Sequence, residues 1–186
     1  MKNEINRSLE KIKNGQVIVY PTDTVWGLGC DATSQGAVDK VFKLKNRSGS
    51  KSLIILVDSL EMLQHYVPVI PKELLTFLES TNKPTTVIYN HPKGLAQNVV
   101  ASDNTVAIRI VENDFCKALI RSFGKPIVST SANFSNQPTP SSFNEIDPLL
   151  LERADYIVNL PAAETKKTAS QIIKLNDLGK IEFLRK

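Results

Sequence analysis

The chain alternates between two kinds of apolar spacing. Ile5, Leu9 and Ile12 recur at helical intervals among polar residues, and Asn14-Gly15 is a natural stop, so the spacing predicts a first helix. It feeds a strand over 16–20, which Pro21 closes by removing a backbone donor. The following 22–29, with two glycines and no apolar alternation, reads as a shaped loop or irregular edge. Ala37, Val38, Val41 and Phe42 form a second helical stripe over about 34–45, with Thr33 or Ser34 as its cap. Leu53-Ile54-Ile55-Leu56-Val57 is an unbroken apolar run of strand length, the mark of a strand buried on both faces. Two helices follow, 58–66 and 71–79, the second with Pro71 at its first position.

Further strands are expected at 85–89, 105–110 and 126–128, with a helix over 114–122 between the last two. The Ser/Asn/Pro-rich stretch 129–142 reads as a loop able to carry function. A short helix near 148–153 and strands near 156–158, 171–175 and 181–184 complete the chain. Several neighbouring strands leave no room for a crossover helix, which favours a mixed sheet. The expected fold is a single α/β domain over 1–186, with a twisted mixed sheet and flanking helices.

Composition adds little to this until charge is considered. A net charge of +4 among 186 residues suits a polyanionic ligand without selecting one. Cys30 and Cys116 stand far apart with no metal-ligand spacing, and no Cys/His cluster is present, so no protein-held metal is expected. The first fifteen residues carry charges throughout, and no run approaches the length that spans a bilayer; a cytoplasmic protein without membrane contact is expected.

Three polar clusters stand at the ends of expected elements, where α/β folds commonly bind ligands. The first, Pro21-Thr22-Asp23-Thr24, would pass for an ordinary turn, but Val25-Trp26-Gly27-Leu28-Gly29 follows with a large apolar wall and close backbone approach. The second is Lys45-x-Arg47 with Lys51, either a solvated helix end or fixed cations for a phosphate chain. The third, Ser129-Thr130-Ser131-Ala132-Asn133, is either a capping cluster or a set of neutral groups that orient phosphate or carboxylate oxygens.

Together YPTDTVWGLG, Lys45-x-Arg47, VAIRI around Arg109 and KPIVSTSANFS around Ser131-x-Asn133 resemble the YrdC/Sua5 family, the threonylcarbamoyl-AMP synthases, in its short single-domain form. Any one of these motifs is weak; the four in order, from Ile12 onward, are specific. The resemblance implies a twisted sheet around a positively lined concave cavity. It implies a nucleotidyltransferase that makes threonylcarbamoyl-AMP and pyrophosphate from L-threonine, bicarbonate or CO2, and ATP. The product then serves the transferase machinery that installs N6-threonylcarbamoyladenosine in tRNA.

Position by position, it implies that Lys45 and Arg47 clamp the triphosphate while Ser131 and Asn133 orient carbamate and α-phosphate oxygens. Lys51, Thr85, Asn133 and Ser170 join the ATP contacts, and Thr24, Arg109 and Ser131 hold threonine. Mg2+ is expected as part of the ATP complex. The chain departs from the family in Asn82-Lys83 ahead of Pro84, where Pro-Gly is usual, and in Ala169, where proline is usual. Two other activities fit a basic cavity: a double-stranded RNA or tRNA module without catalysis, and a carbamoyl-adenylate step like that of a hydrogenase maturation protein. Few aromatics and no RNA-binding motif argue against the first. His65 and His91 fall in no motif and are given no chemistry.

Overall fold

The computed structural model describes residues 1–46, 53–160 and 168–186. Its described residues contain six α-helices and nine strands that join one mixed sheet in the order β7-β1-β2-β6-β3-β5-β4-β8-β9. The strands are β1 (Ile18–Tyr20), β2 (Gly27–Gly29), β3 (Ile54–Val57), β4 (Thr85–Asn90), β5 (Thr105–Ile110), β6 (Ile127–Ser131), β7 (Tyr156–Ile157), β8 (Gln171–Leu175) and β9 (Ile181–Arg185). Three pairings are parallel, β1 with β7, β3 with β5 and β4 with β8; the other five are antiparallel.

The two-residue alternation of the strands sorts the interior into two layers. On one face Ile55, Val57, Val87, Val106, Ile108, Val128 and Ile173 pack under helices α2 (Gln35–Leu44), α3 (Leu60–Tyr66) and α4 (Lys72–Ser80). On the other, Ile18, Tyr20, Leu56, Val111 and Ile127 pack under α1 (Lys2–Lys13) and α5 (Asp114–Phe123). The capping chemistry follows the sequence: Ser34, Ser59 and Asn113 each accept from the backbone N–H three residues on, and Gly124 closes α5 in the left-handed conformation. The sixth helix, α6 (Pro148–Arg153), is capped by Asp147.

Three expectations are corrected. Residues 27–29 are not a loop but an interior strand between β1 and β6, hidden from pattern reading because two of its three residues are glycines. The glycines are required there: a Cβ on Gly29 would lie 2.5 Å from Tyr20 Cε1 and 2.6 Å from the Val128 carbonyl oxygen. Residues 129–131 are not loop either, since β6 runs to Ser131 and pairs with β3 and β2 at once. Pro71 is the N-cap of α4 rather than its first helical residue.

α1 and α5 cover only part of their face. Continuing along it, Ile54, Ala107, Ile88 and Ile172 line an open cavity instead of a helix. The layout therefore leaves one stretch of sheet bare.

Candidate functional site

The bare stretch floors a cavity of about 300 Å³. Side chains converge on it from five parts of the chain: Thr24 between β1 and β2, Arg109 on β5, Ser129 and Ser131 on β6, Ser170 just before β8, and Arg185 on β9. Strand alternation aims most of them. Arg109 on β5 shares its side with Val111 just beyond the strand, and Ile127, Ser129 and Ser131 share one side of β6, so each segment passes from apolar core to polar cavity along a single side.

Arg109 is 3 % exposed and organises the wall. Its Nη2 pairs with Asp23 Oδ1 at 3.2 Å, and Nη1 donates to Thr24 Oγ1 at 3.1 Å. The buried Nε–H has no hydrogen-bond partner among the described residues. Asp23 therefore fixes the guanidinium without saturating it. Arg185, across the cavity, donates from Nε to the Ser170 carbonyl at 2.8 Å and from Nη2 to Ser170 Oγ at 3.4 Å. Burial, and then the positive charge of Arg109, push the Arg185 pKa down, so two guanidinium groups share one cleft at an electrostatic cost that an anion would relieve.

Hydroxyls are equally ordered. Thr22 Oγ1 donates to the Val25 carbonyl at 2.8 Å, accepts from the Thr24 N–H at 3.1 Å, and lies 2.9 Å from Thr24 Oγ1. Ser131 Oγ donates to Asn133 Oδ1 at 2.5 Å, and Asn133 Nδ2 donates to the Gln137 carbonyl at 2.7 Å. Ser170 Oγ and Thr86 Oγ1 are 2.8 Å apart.

Lys45 is only 2 % exposed, which removes the solvated helix end from consideration. Its ammonium reaches across from the end of α2 to the end of β6, donating to the Ser131 carbonyl, to the Asn133 carbonyl at 2.6 Å and to Asn133 Oδ1 at 3.3 Å. Among the described residues it thus meets three oxygens at and just beyond the β6 end, while the Ser135 N–H returns to the Lys45 carbonyl at 2.9 Å.

The structure brings Thr24, Arg109, Ser131 and Ser170 to one cavity. Asn133 borders a neighbouring cleft of about 580 Å³, with Thr139 lining both. Thr85 does not join them: it lines a separate cleft of about 680 Å³ beyond Asp23, and Gln171 Nε2 donates to its hydroxyl at 2.6 Å. Arg47 and Lys51 lie outside the described residues. Sequence reading missed Arg185, and it placed Ser129 in the third polar cluster without giving it a site role of its own. The alternation from Ile127 to Ser131 could have given Ser129 that role; Arg185 carries no local signal and is known only by its pairing opposite Ile172.

Among the described residues no His, Asp or Glu lines this cavity, and no three His, Cys, Asp or Glu side chains form a group able to grip a metal. Cys30 and Cys116 are fully buried with pKa values pushed up by burial, which leaves them inert as nucleophiles. His65 and His91 are exposed and remote from the cavity. No helix among the described residues is long and apolar enough to cross a membrane.

Residues 10–186 match the family model Sua5_yciO_yrdC, described as "Telomere recombination". A threonylcarbamoyl-AMP synthase of Pseudoalteromonas translucida is 34% identical over 164 residues, 86% of this chain and 87% of that protein. One from Xanthomonas campestris is 31% identical over 159 residues, 84% of this chain and 85% of its own length. Among solved structures, P. abyssi Sua5 complexed with L-threonine superposes with a TM-score of 0.88 at 27% identity, covering 97% of this chain and 53% of that one. E. coli YciO shares the fold, with a TM-score of 0.82 at 23% identity over 100% of this chain and 90% of its own.

Proposed function

Because this chain belongs to the Sua5/YciO/YrdC family, we propose that its cavity forms threonylcarbamoyl-AMP, making it a nucleotidyltransferase within the transferase class of its synthase relatives. The observation that carries the reading is the meeting of two guanidiniums on one cavity, the buried Arg109 and the exposed Arg185, edged by hydroxyls and, among the described residues, by no acid or imidazole.

That inventory suits the chemistry. The amine of threonine adds to CO2 drawn from bicarbonate, giving a carbamate and releasing a proton. A carbamate oxygen then attacks the α-phosphorus of ATP, and the bond from that phosphorus to the bridging oxygen breaks as pyrophosphate leaves. The carbamate is already an anionic nucleophile, so positioning and charge neutralisation do most of what a general base would do elsewhere.

Arg109 takes the threonine carboxylate, its Nε–H being the donor left over once Asp23 and Thr24 are served. Ser131 has given its own proton to Asn133, so it meets the ligand with lone pairs and accepts from the amine or carbamate N–H. Arg185 and Ser170 face the nucleotide phosphates, joined by Arg47 on the strength of the matching Lys45-x-Arg47 motif and by Lys51 as the cation four residues on. Lys45 acts from behind the site, holding the Ser131–Asn133 corner, and not as a clamp on ATP. Thr85 is withdrawn from the ATP contacts, since its cleft lies on the far side of Asp23. Magnesium enters as the MgATP complex, held by phosphate and water. The mixed anhydride passes to a transferase that modifies tRNA.

Incubating the protein with MgATP, bicarbonate and isotopically labelled threonine tests this directly. Label in an adenylate and pyrophosphate release that needs both threonine and bicarbonate are expected. Threonine-independent pyrophosphate release, or none, refutes the assignment.

A further inference from the structure

Hydroxyl groups carry one proton each, and the loop before β2 has spent all of its own. Thr22 Oγ1 gives its proton to the Val25 carbonyl at 2.8 Å. The 2.9 Å contact between Thr22 Oγ1 and Thr24 Oγ1 must then be bridged by the proton of Thr24. Thr22 is complete, with one hydrogen bond donated and two accepted, the second from the Thr24 N–H at 3.1 Å. Thr24 Oγ1 also accepts from Arg109 Nη1 at 3.1 Å. One lone pair remains on Thr24, and Thr24 lines the cavity.

We infer that Thr22, which is 1 % exposed and does not line the cavity, is a positioning residue that turns Thr24 into an acceptor-only partner for the β-hydroxyl of bound threonine. The inference rests on the threonine assignment above and sharpens it. An acceptor at this point repels a carboxylate and takes a donor. Threonine offers two donors, its amine and its hydroxyl. The amine must reach CO2 and then leave a carbamate aimed at ATP, and Ser131, tied to the Lys45 corner, is the acceptor beside that path. The hydroxyl, which takes no part in the reaction, is left for Thr24. Selection of a β-hydroxy amino acid is thus written into a run of aligned protons: Arg109 to Thr24, Thr24 to Thr22, and Thr22 to a backbone carbonyl.

Isothermal titration of the intact protein with L-threonine, L-2-aminobutyrate and O-methyl-L-threonine tests it. Losing a hydrogen bond to a buried partner weakens binding by about tenfold, so both analogues should bind at least that much more weakly to the unmodified protein. Thr22→Val frees the Thr24 proton to turn outward. O-methylthreonine, which can only accept, should then come within about threefold of threonine, a gap of under 1 kcal/mol, while 2-aminobutyrate stays weak. Thr22→Ser keeps the hydroxyl and should keep the original order of the three ligands.

O-methylthreonine or 2-aminobutyrate binding to the unmodified protein within threefold of threonine overturns the inference without any variant, so an unfolded Thr22→Val protein leaves it exposed to refutation. An unchanged ligand order in folded Thr22→Val overturns it too. A protein that binds none of the three ligands sinks the threonine assignment itself, a different outcome from one that binds threonine and ignores Thr22.

Discussion

Replacing Lys45 with methionine keeps the length and apolar stem of the side chain and deletes the ammonium. The carbonyls of Ser131 and Asn133 then lose a charged donor in a place that is 2 % exposed, whereas Asn133 Oδ1 retains the proton of Ser131. The Ser131 carbonyl keeps the Asn133 N–H at 2.9 Å, so among the described residues only the Asn133 carbonyl is left unpaired, at about 1–3 kcal/mol; the lost charged hydrogen bond to Ser131 adds about 1.5–3 kcal/mol, and burial of the methionine thioether recovers about 1. A net loss of about 3 kcal/mol is expected, which for a chain of this size lowers Tm by roughly 6–12 °C. Thermal unfolding followed by circular dichroism reads that loss. Steady-state pyrophosphate release reads the other half: kcat should fall because the Ser131–Asn133 corner loosens, while KM for ATP stays within about twofold because no phosphate contact was removed. The reasoning is refuted by the opposite pattern, in which Tm holds within about 2 °C and KM for ATP climbs tenfold or more, since that would place the ammonium on the triphosphate.

Other features make independent predictions. Gly29→Ala should destabilise the fold by about 3 kcal/mol or more, because the new methyl meets the Val128 carbonyl oxygen at 2.6 Å and an immobile Tyr20 ring, with no exposed side to relax toward; urea midpoints would show it, and a loss under 1 kcal/mol would contradict the packing. Burial raises the pKa of Glu4, but the Tyr156 hydroxyl at 2.6 Å, the Asn159 N–H at 2.8 Å and the nearby Arg7 outweigh it, so the folded value lies below that of the unfolded chain. Its contribution to stability is therefore full above about pH 4.3 and lost as pH falls through the folded value; Glu4→Gln should be less stable than the parent at pH 7, with the gap closing in acid. Cys30 and Cys116 should resist a thiol-specific reagent in the native protein and react together on unfolding, and rapid labelling of either in native buffer would show that its burial is overstated.

Much of the scaffold could be read from spacing. Ala37, Val38, Val41 and Phe42 announce α2, and the run 53–57 announces β3, because one buried face dictates each pattern locally. β2 escaped because its residues answer to the Tyr20 ring and the Val128 carbonyl, and a strand chosen for close approach instead of side-chain packing shows no alternation. Lys45 escaped for a related reason: its three oxygens come from positions 131 and 133, so nothing near it in sequence distinguishes a tether from a solvated cation. Thr24, Arg109 and Ser131 were found through motif order, whereas Arg185 depends on a strand register that only the assembled sheet defines.

Trp26, the chain's single indole, sits two positions beyond Thr24 and is 6 % exposed. Its carbonyl accepts from the Ala132 N–H at 2.9 Å, beside Ser131, and its ring packs on Phe143 with centroids 4.9 Å apart. Trp26 thus joins the loop that carries Thr24, the end of β6 and the segment that follows Thr139. Its fluorescence arises from one position and from an apolar setting, so emission wavelength and quenching report directly on the packing of these three walls. The protein carries a spectroscopic probe in the core beside its cavity, two residues from Thr24, so ligand entry that shifts this packing can be followed by light without attaching a label.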